Sequence, residues 1–156
     1  ATFTSIIITR FESALAAQVV LTAFIPMLMG TGGNSGNQAC VTIIRGLSLG
    51  DIEFEDLVKV VWKEVRVAVM CGVTLSAVNF LKLIYFDRVT TEVAAVVSIT
   101  LVGTVLVAKL VGCSLPMLAS RTGLDPAVMA SPFISTIVDA MSLLIYFSIA
   151  TALLGI

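Results

Sequence analysis

Charged residues are sparse along this chain, and they divide it into apolar blocks long enough for a bilayer, which asks about 20 residues of a crossing helix. Residues 1–9 read as the short remnant of a first span, followed by Arg10 and Glu12. Four complete blocks follow at 13–44, 67–86, 93–120 and 127–156. The pattern changes over 51–66, DIEFEDLVKVVWKEVR, where Leu57, Val60, Val61 and Val65 recur at helical spacing opposite a face of acids and bases. This predicts an amphipathic helix at the cytoplasmic interface, with Trp62 at headgroup depth, a favourable Glu55–Lys59 pair, and the charges forming a solvated face. The polar turn DRVTTE and the loop RTGLDP separate the later blocks, and Asp125 followed by Pro126 makes an N-cap and first helical position.

These blocks predict an all-α integral membrane protein, a five-span helical bundle whose first span is truncated, so that the chain reads as one domain, 1–156, of a longer protein. The side that holds Arg45, Lys59, Lys63, Arg66 and Arg121 is more basic than the side that holds Arg10, Lys82 and Arg88, which places 45–66 and RTGLDP in the cytoplasm. Composition agrees: 58% of residues are hydrophobic and 12% charged. A net charge of -1 offers nucleic acid no basic patch. With no histidine and with Cys40, Cys71 and Cys113 scattered through apolar runs, neither a zinc cluster nor a disulfide framework is expected, and the cysteines read as small buried hydrophobes. The N-terminal ATFTSIII has neither the basic flank nor the cleavage site of a signal peptide.

Lys82 lies near the end of its block, where it can snorkel, which leaves two charges in block interiors, Lys109 and Asp139, each costing about 2.5–3.5 kcal/mol at the centre of a span. At about 100° per residue, Ser131, Ser135, Asp139, Ser142 and Tyr146 fall within an arc of about 80°, a polar stripe suited to water or a pore. No such stripe accompanies Lys109, which reads as a structural or snorkelling charge. The stretch PMLMGTGGNSGNQACVTII, 26–44, brings glycines and amides into a span, and non-helical backbone survives at that depth only beside protein or a water-filled cavity. A glycine-rich break is therefore expected here. Gly30, Gly32, Gly33 and Gly36 would expose carbonyl oxygens, Pro26 would free that of Thr22, and Asn34, Asn37 and Gln38 would add amide oxygens. Small-xxx-small packing from Gly32 to Gly36 is the plainer reading of the same glycines. Pro132 would loosen the last span by freeing the Val128 carbonyl. Carboxylate, carbonyl and amide oxygens suit hard cations such as Mg²⁺, Ca²⁺ or Mn²⁺, and a single carboxylate favours a largely hydrated ion.

Together, PMLMGTGGNSGNQACVTIIRGL and GLDPAVMASPFISTIVDAMSLLIYF resemble the transmembrane domain of the MgtE family of magnesium channels, which is related to the SLC41 carriers. The resemblance covers essentially the whole chain. It implies a homodimer of five-span subunits in the bacterial inner membrane, with a pore for hydrated Mg²⁺ on the dimer axis lined by the second and fifth spans. It also implies that cytoplasmic regulatory domains accompany this domain in the full-length protein. The residues that match ion-facing positions are Asp139, Gly32, Gly33, Gly36, Asn34, Ser131 and Ser135, with Ser131 standing where the family often has Asn. Mn²⁺, Co²⁺ or Ca²⁺ are alternative cargoes.

Two other functions compete with a channel. A secondary carrier exchanging Mg²⁺ for Na⁺ or H⁺ would use broken helices equally well, but calls for an inverted repeat or a second intramembrane carboxylate. An intramembrane hydrolase needs a carboxylate dyad or a histidine, so no enzyme is expected.

Overall fold

The computed structural model describes residues 2–10, 19–129 and 132–155. Among the described residues are five α-helices, α1 (Thr2–Arg10), α2 (Ile25–Leu49), α3 (Leu57–Tyr85), α4 (Thr91–Arg121) and α5 (Pro132–Leu154), with short 3₁₀ turns at Val19–Phe24, Phe54–Asp56 and Pro126–Met129. No strand occurs among the described residues. The stretches Phe54–Tyr85, Thr91–Arg121 and Pro132–Leu154 are long and apolar enough to cross a membrane. At 25 residues α2 has the length, but its glycines and amides dilute its apolar character. The all-helical architecture expected from the block pattern is therefore present, in an integral membrane protein.

Helix α4 is the hub. It packs against α2, α3 and α5, and 56% of its apolar window is buried against 22% for α3. One apolar cluster, around Leu21, Phe24, Leu28, Val97, Tyr146 and Phe147, fills the end of the bundle near the start of α2. A second, of Ile43, Cys113 and Met117 backed by Ile52 and Val61, fills the opposite end. Cys40, Ala108, Ile134 and Val138 join them in the middle. Cys40 and Cys113 are buried as expected, whereas Cys71 is exposed. At the second end the Arg121 guanidinium lies 4.4 Å from the centroid of the Phe54 ring, so the RTGLDP loop and the 51–56 segment share one side of the bundle.

Several local expectations are corrected. The glycine-rich stretch is unbroken helix: α2 runs through Gly30, Gly32, Gly33 and Gly36 and stops only at Gly50, which takes a positive φ of 73° and returns its N–H to the last turn. Pro26 sits in the first turn of α2, where no intrahelical N–H is required, and the chain before it is wound as a 3₁₀ turn. Pro132 is the first described residue of α5, and the residues just before it lie outside the described ones. Asp125 does cap Ala127, its Oδ1 accepting the N–H at 2.9 Å, but the helix it starts is only the 3₁₀ turn. Nor is there a separate interfacial helix over 51–66: Leu57–Tyr85 is continuous, because its apolar positions carry straight on into the next block. Lys59 pairs with Asp56 at 3.0 Å and not with Glu55, the 3₁₀ turn having rotated the acids out of register.

Glycine sets how closely α2 approaches its neighbours. A Cβ on Gly32 would stand 2.7 Å from Thr104 Cγ2 and 2.8 Å from Val138 Cγ1, and one on Gly36 2.8 Å from Ile134 Cγ2. On α4, a Cβ on Gly112 would collide with the Gly36 carbonyl oxygen, a backbone atom that cannot swing aside. The small-xxx-small reading of Gly32 and Gly36 describes this packing. Gly112→Ala is accordingly expected to destabilise the chain by about 1–3 kcal/mol. By contrast Gly30→Ala, whose Cβ would meet nothing within 4 Å, should leave stability unchanged or raise it by up to about 1 kcal/mol. Unfolding in detergent followed by circular dichroism separates the two.

The 3₁₀ turn before α2 is tied from afar. The fully buried Tyr146 hydroxyl donates to the Leu21 carbonyl at 2.9 Å, satisfying a backbone acceptor that has no water to turn to. Tyr146→Phe should cost about 1–3 kcal/mol in the same melts, the penalty of an orphaned buried carbonyl.

Candidate functional site

The polar residues of α2 and α5 meet in a cavity of about 220 Å³, lined by Met29, Gly30, Gly33, Asn34 and Asn37 from α2 and by Ser135 and Asp139 from α5. Helical geometry assembles it. Gly30, Gly33, Asn34 and Asn37 follow at spacings of three and four, so they share a face, and Ser135 and Asp139 are one turn apart on the facing helix. Asn37 Nδ2 donates to Ser135 Oγ at 3.4 Å, a long bond that bridges the helices. Asn37 Oδ1 is buried and has no hydrogen-bond partner, leaving an amide acceptor beside the carboxylate. No ion pair of Asp139 is found among the described residues.

Of the residues singled out from the sequence, the cavity brings together Asp139, Gly33, Asn34 and Ser135. Gly32 and Gly36 are buried one position away, in the crossing with α4 and α5, and do not line it. Ser131 lies outside the described residues. The expected hydroxyl stripe divides: Ser135 and Asp139 border the cavity, whereas Ser142 donates to the Val138 carbonyl at 2.6 Å and Tyr146 to that of Leu21, both inside the core. The division follows from the crossing of α5 against the bundle, which turns its second half inward. Gln38 is exposed and outside the cavity. Asn37, Met29 and Gly30 complete the site; the three- and four-residue spacing from Gly30 was the signal that marked them.

Lys109 has a partner that the charge pattern hid. Its Nζ lies 3.1 Å from Glu64 Oε2 on α3, with both side chains largely buried and the contact angled away from an ideal hydrogen-bond axis. The expectation that Glu64 belongs to a solvated face is thereby corrected: α3 turns this one acid of its run toward α4.

No group of three acidic, cysteine or histidine side chains fit to chelate a bare ion occurs among the described residues. The cavity instead offers one carboxylate, amide and hydroxyl groups, and space. Such a set addresses a cation through hydrogen bonds to its water shell, since a single carboxylate cannot replace the waters that Mg²⁺ holds.

A family model described as divalent cation transporter, MgtE, matches residues 25–149, which include every residue of the cavity. The chain is similar to the magnesium transporter MgtE of Thermus thermophilus, with 42% identity over 151 residues, 97% of this chain and 33% of that protein. The magnesium transporter MgtE of Bacillus subtilis is 34% identical over 146 residues, and that of Enterococcus faecalis 30% over 148. The chain thus spans about a third of the length of these relatives. Matched over most of its length by that model, the chain belongs to the MgtE family of divalent cation transporters.

Proposed function

We propose that this domain carries largely hydrated Mg²⁺ across a bacterial inner membrane as a homodimeric channel, with the cavity between α2 and α5 as its ion site. The observation that carries the reading is the meeting of Asp139 with Asn34, Asn37 and Ser135 in one small polar space between α2 and α5, in a bundle with three helices long and apolar enough to cross a membrane. Six waters at about 30 Å³ each give an octahedral shell of about 180 Å³, commensurate with the cavity. Asp139 supplies the attraction for cations and repels anions, while the amides and the Ser135 hydroxyl orient the shell. The outward face of α2 supports a dimer about this site. Gly30, Asn34, Gln38 and Arg45 are exposed along it, a polar line that lipid would not accept and that a water-filled axis shared with a second copy would. The transport names of the relatives support Mg²⁺ as cargo, and the length they have beyond this chain supports further domains that regulate it from the cytoplasm.

An exchanger driven by Na⁺ or H⁺ needs somewhere to hold the coupling ion. The second buried carboxylate, Glu64, is already neutralised by Lys109, which favours the channel. The test is Mg²⁺ entry into proteoliposomes under a fixed membrane voltage with no other ion gradient. The unsubstituted domain should admit Mg²⁺, and Asp139→Ala and Asp139→Asn should each reduce entry by roughly tenfold or more, the equivalent of about 1.4 kcal/mol at the ion's site. Entry that waits for a Na⁺ or H⁺ gradient would replace the channel by a carrier. Unchanged entry in both variants would remove Asp139 from the ion's path.

A further inference from the structure

The interface of α3 with α4 has a regular construction. The α3 residues that face α4 are Glu64, Ala68, Gly72 and Ser76, one every four positions, which is a single ridge along the helix. Their partners run the other way along α4. Glu64 meets Lys109 at 3.1 Å, a Cβ on Gly72 would stand 3.3 Å from Val102 Cα, and the Ser76 hydroxyl donates to the Ser98 carbonyl at 2.8 Å. The α3 numbers rise by 8 and then 4 while those of α4 fall by 7 and then 4, as an antiparallel pair of helices requires.

Elsewhere α3 is held at its two ends by apolar packing, Val60 and Val61 against Ile43, Cys113 and Met117 and Leu83 within the cluster at the other end. Beyond Glu64, Ala68 and Gly72, its buried residues include only Leu83, and Val69, Met70, Val73, Val78 and Leu81 face outward. Between helices in lipid there is no hydrophobic drive to association, because acyl chains solvate leucine as well as leucine does. A ridge of Ala and Gly sliding on α4 would find nearly equivalent positions one turn up or down. The ion pair breaks that degeneracy, since a slip of one turn moves Glu64 about 5–6 Å and leaves two opposite charges unmatched in a medium that penalises each. Glu64 lies about 10 Å along α3 from its start at Leu57, and Lys109 about 18 Å along α4 from its end at Arg121, so lengthwise movement cannot quickly rehydrate both.

We propose that Glu64 and Lys109 form a buried charge lock that sets the register of α3 on α4 and acts as a positioning pair for the ion site. The route from lock to site is short. Ala108, beside Lys109, presents its carbonyl oxygen 3.1 Å from the Cβ position of Gly36, and Gly112 abuts the Gly36 carbonyl, so the segment of α4 that the lock holds is the segment on which α2 rests next to Asn37.

The protein carries its own reporter, because its single tryptophan, Trp62, is exposed on α3 two positions before Glu64. Quenching of Trp62 by lipids brominated at graded depths reads the position of α3, and a slip of one turn moves the indole by about 5 Å. The variants are Glu64→Gln, Lys109→Gln, the charge-swapped Glu64→Lys/Lys109→Glu and the apolar Glu64→Leu/Lys109→Leu, each measured for Trp62 quenching and voltage-driven Mg²⁺ entry. Each single variant should shift or broaden the depth profile and lower entry roughly tenfold or more, the swap should restore the profile and bring entry to within about twofold, and the apolar pair should fold with a broadened profile. A profile and entry unchanged in the singles, or in the apolar pair should the singles fail to fold, would overturn the lock. A swap that restores the profile without restoring entry would overturn the positioning role and make Glu64 itself a carrier of charge. The entry arm rests on the transport reading, whereas the Trp62 arm judges the register whatever passes through the domain.

Discussion

The approach of α2 to α4 and α5 is the constraint on which the rest of this bundle depends. Dispersion between helices in a bilayer is harvested only by closeness, and here Gly32, Gly36 and Gly112 bring backbone against backbone and against the side chains of Thr104, Ile134 and Val138. That contact also fixes rotation. Once Gly32 and Gly36 face the crossing, the next residues, Gly33 and Asn37, are turned by about 100° toward α5 and the space in front of Asp139. Packing and site are consequently two readings of one helical phase, and a glycine run that looked like a break in the helix works by keeping it intact.

The outer surfaces of α2 and α3 show what each helix has been built to meet. Along the middle of α3 the exposed positions include Val69, Met70, Val73, Leu75, Val78 and Leu81, a surface acyl chains solvate well. Along α2 they include Asn34, Gln38, Thr42 and Arg45, whose amides and charge need water or another polar surface. Only the second helix contributes to the cavity. The bundle therefore has an apolar outer face and a more polar one, and the carboxylate stands beside the polar one.

The all-helical architecture was legible in the sequence because charges punctuate a bilayer protein much as turns punctuate a soluble one. Asp139, Gly33, Asn34 and Ser135, which meet at the cavity, stood out in the sequence as well, as polar residues and glycine within apolar blocks. Helix phase was not legible. Ser142 and Tyr146 share a face with Asp139 on an ideal helical projection, yet the crossing of α5 sends them into the core, a fact no single helix contains. The same holds for Gly32 and Gly36, where carbonyl exposure and close packing make the same demand for glycine, and only the presence of Gly112 on α4 distinguishes them. Glu64 escaped because its neighbours Lys63 and Arg66 lie at the surface and hid it within an ordinary charge run.

Two carboxylates, Glu64 and Asp139, lie beyond the first turn of these helices, and the contrast between them carries the functional argument furthest. Glu64 is met by the chain's own Lys109, so its charge is spent inside the protein and its consequence is mechanical. Asp139 has no ion pair among the described residues and borders a cavity furnished with an unpartnered Asn37 oxygen, the Asn34 amide and the Ser135 hydroxyl. An anion maintained at such depth without a resident counter-ion is costly unless water and a mobile cation reach it. The need is reciprocal, since the cation sheds less hydration free energy in a polar space that leaves its first shell whole than in a tight cage of protein oxygens. A site that compensates its charge only transiently can release what it binds, and that property distinguishes a passage from a store.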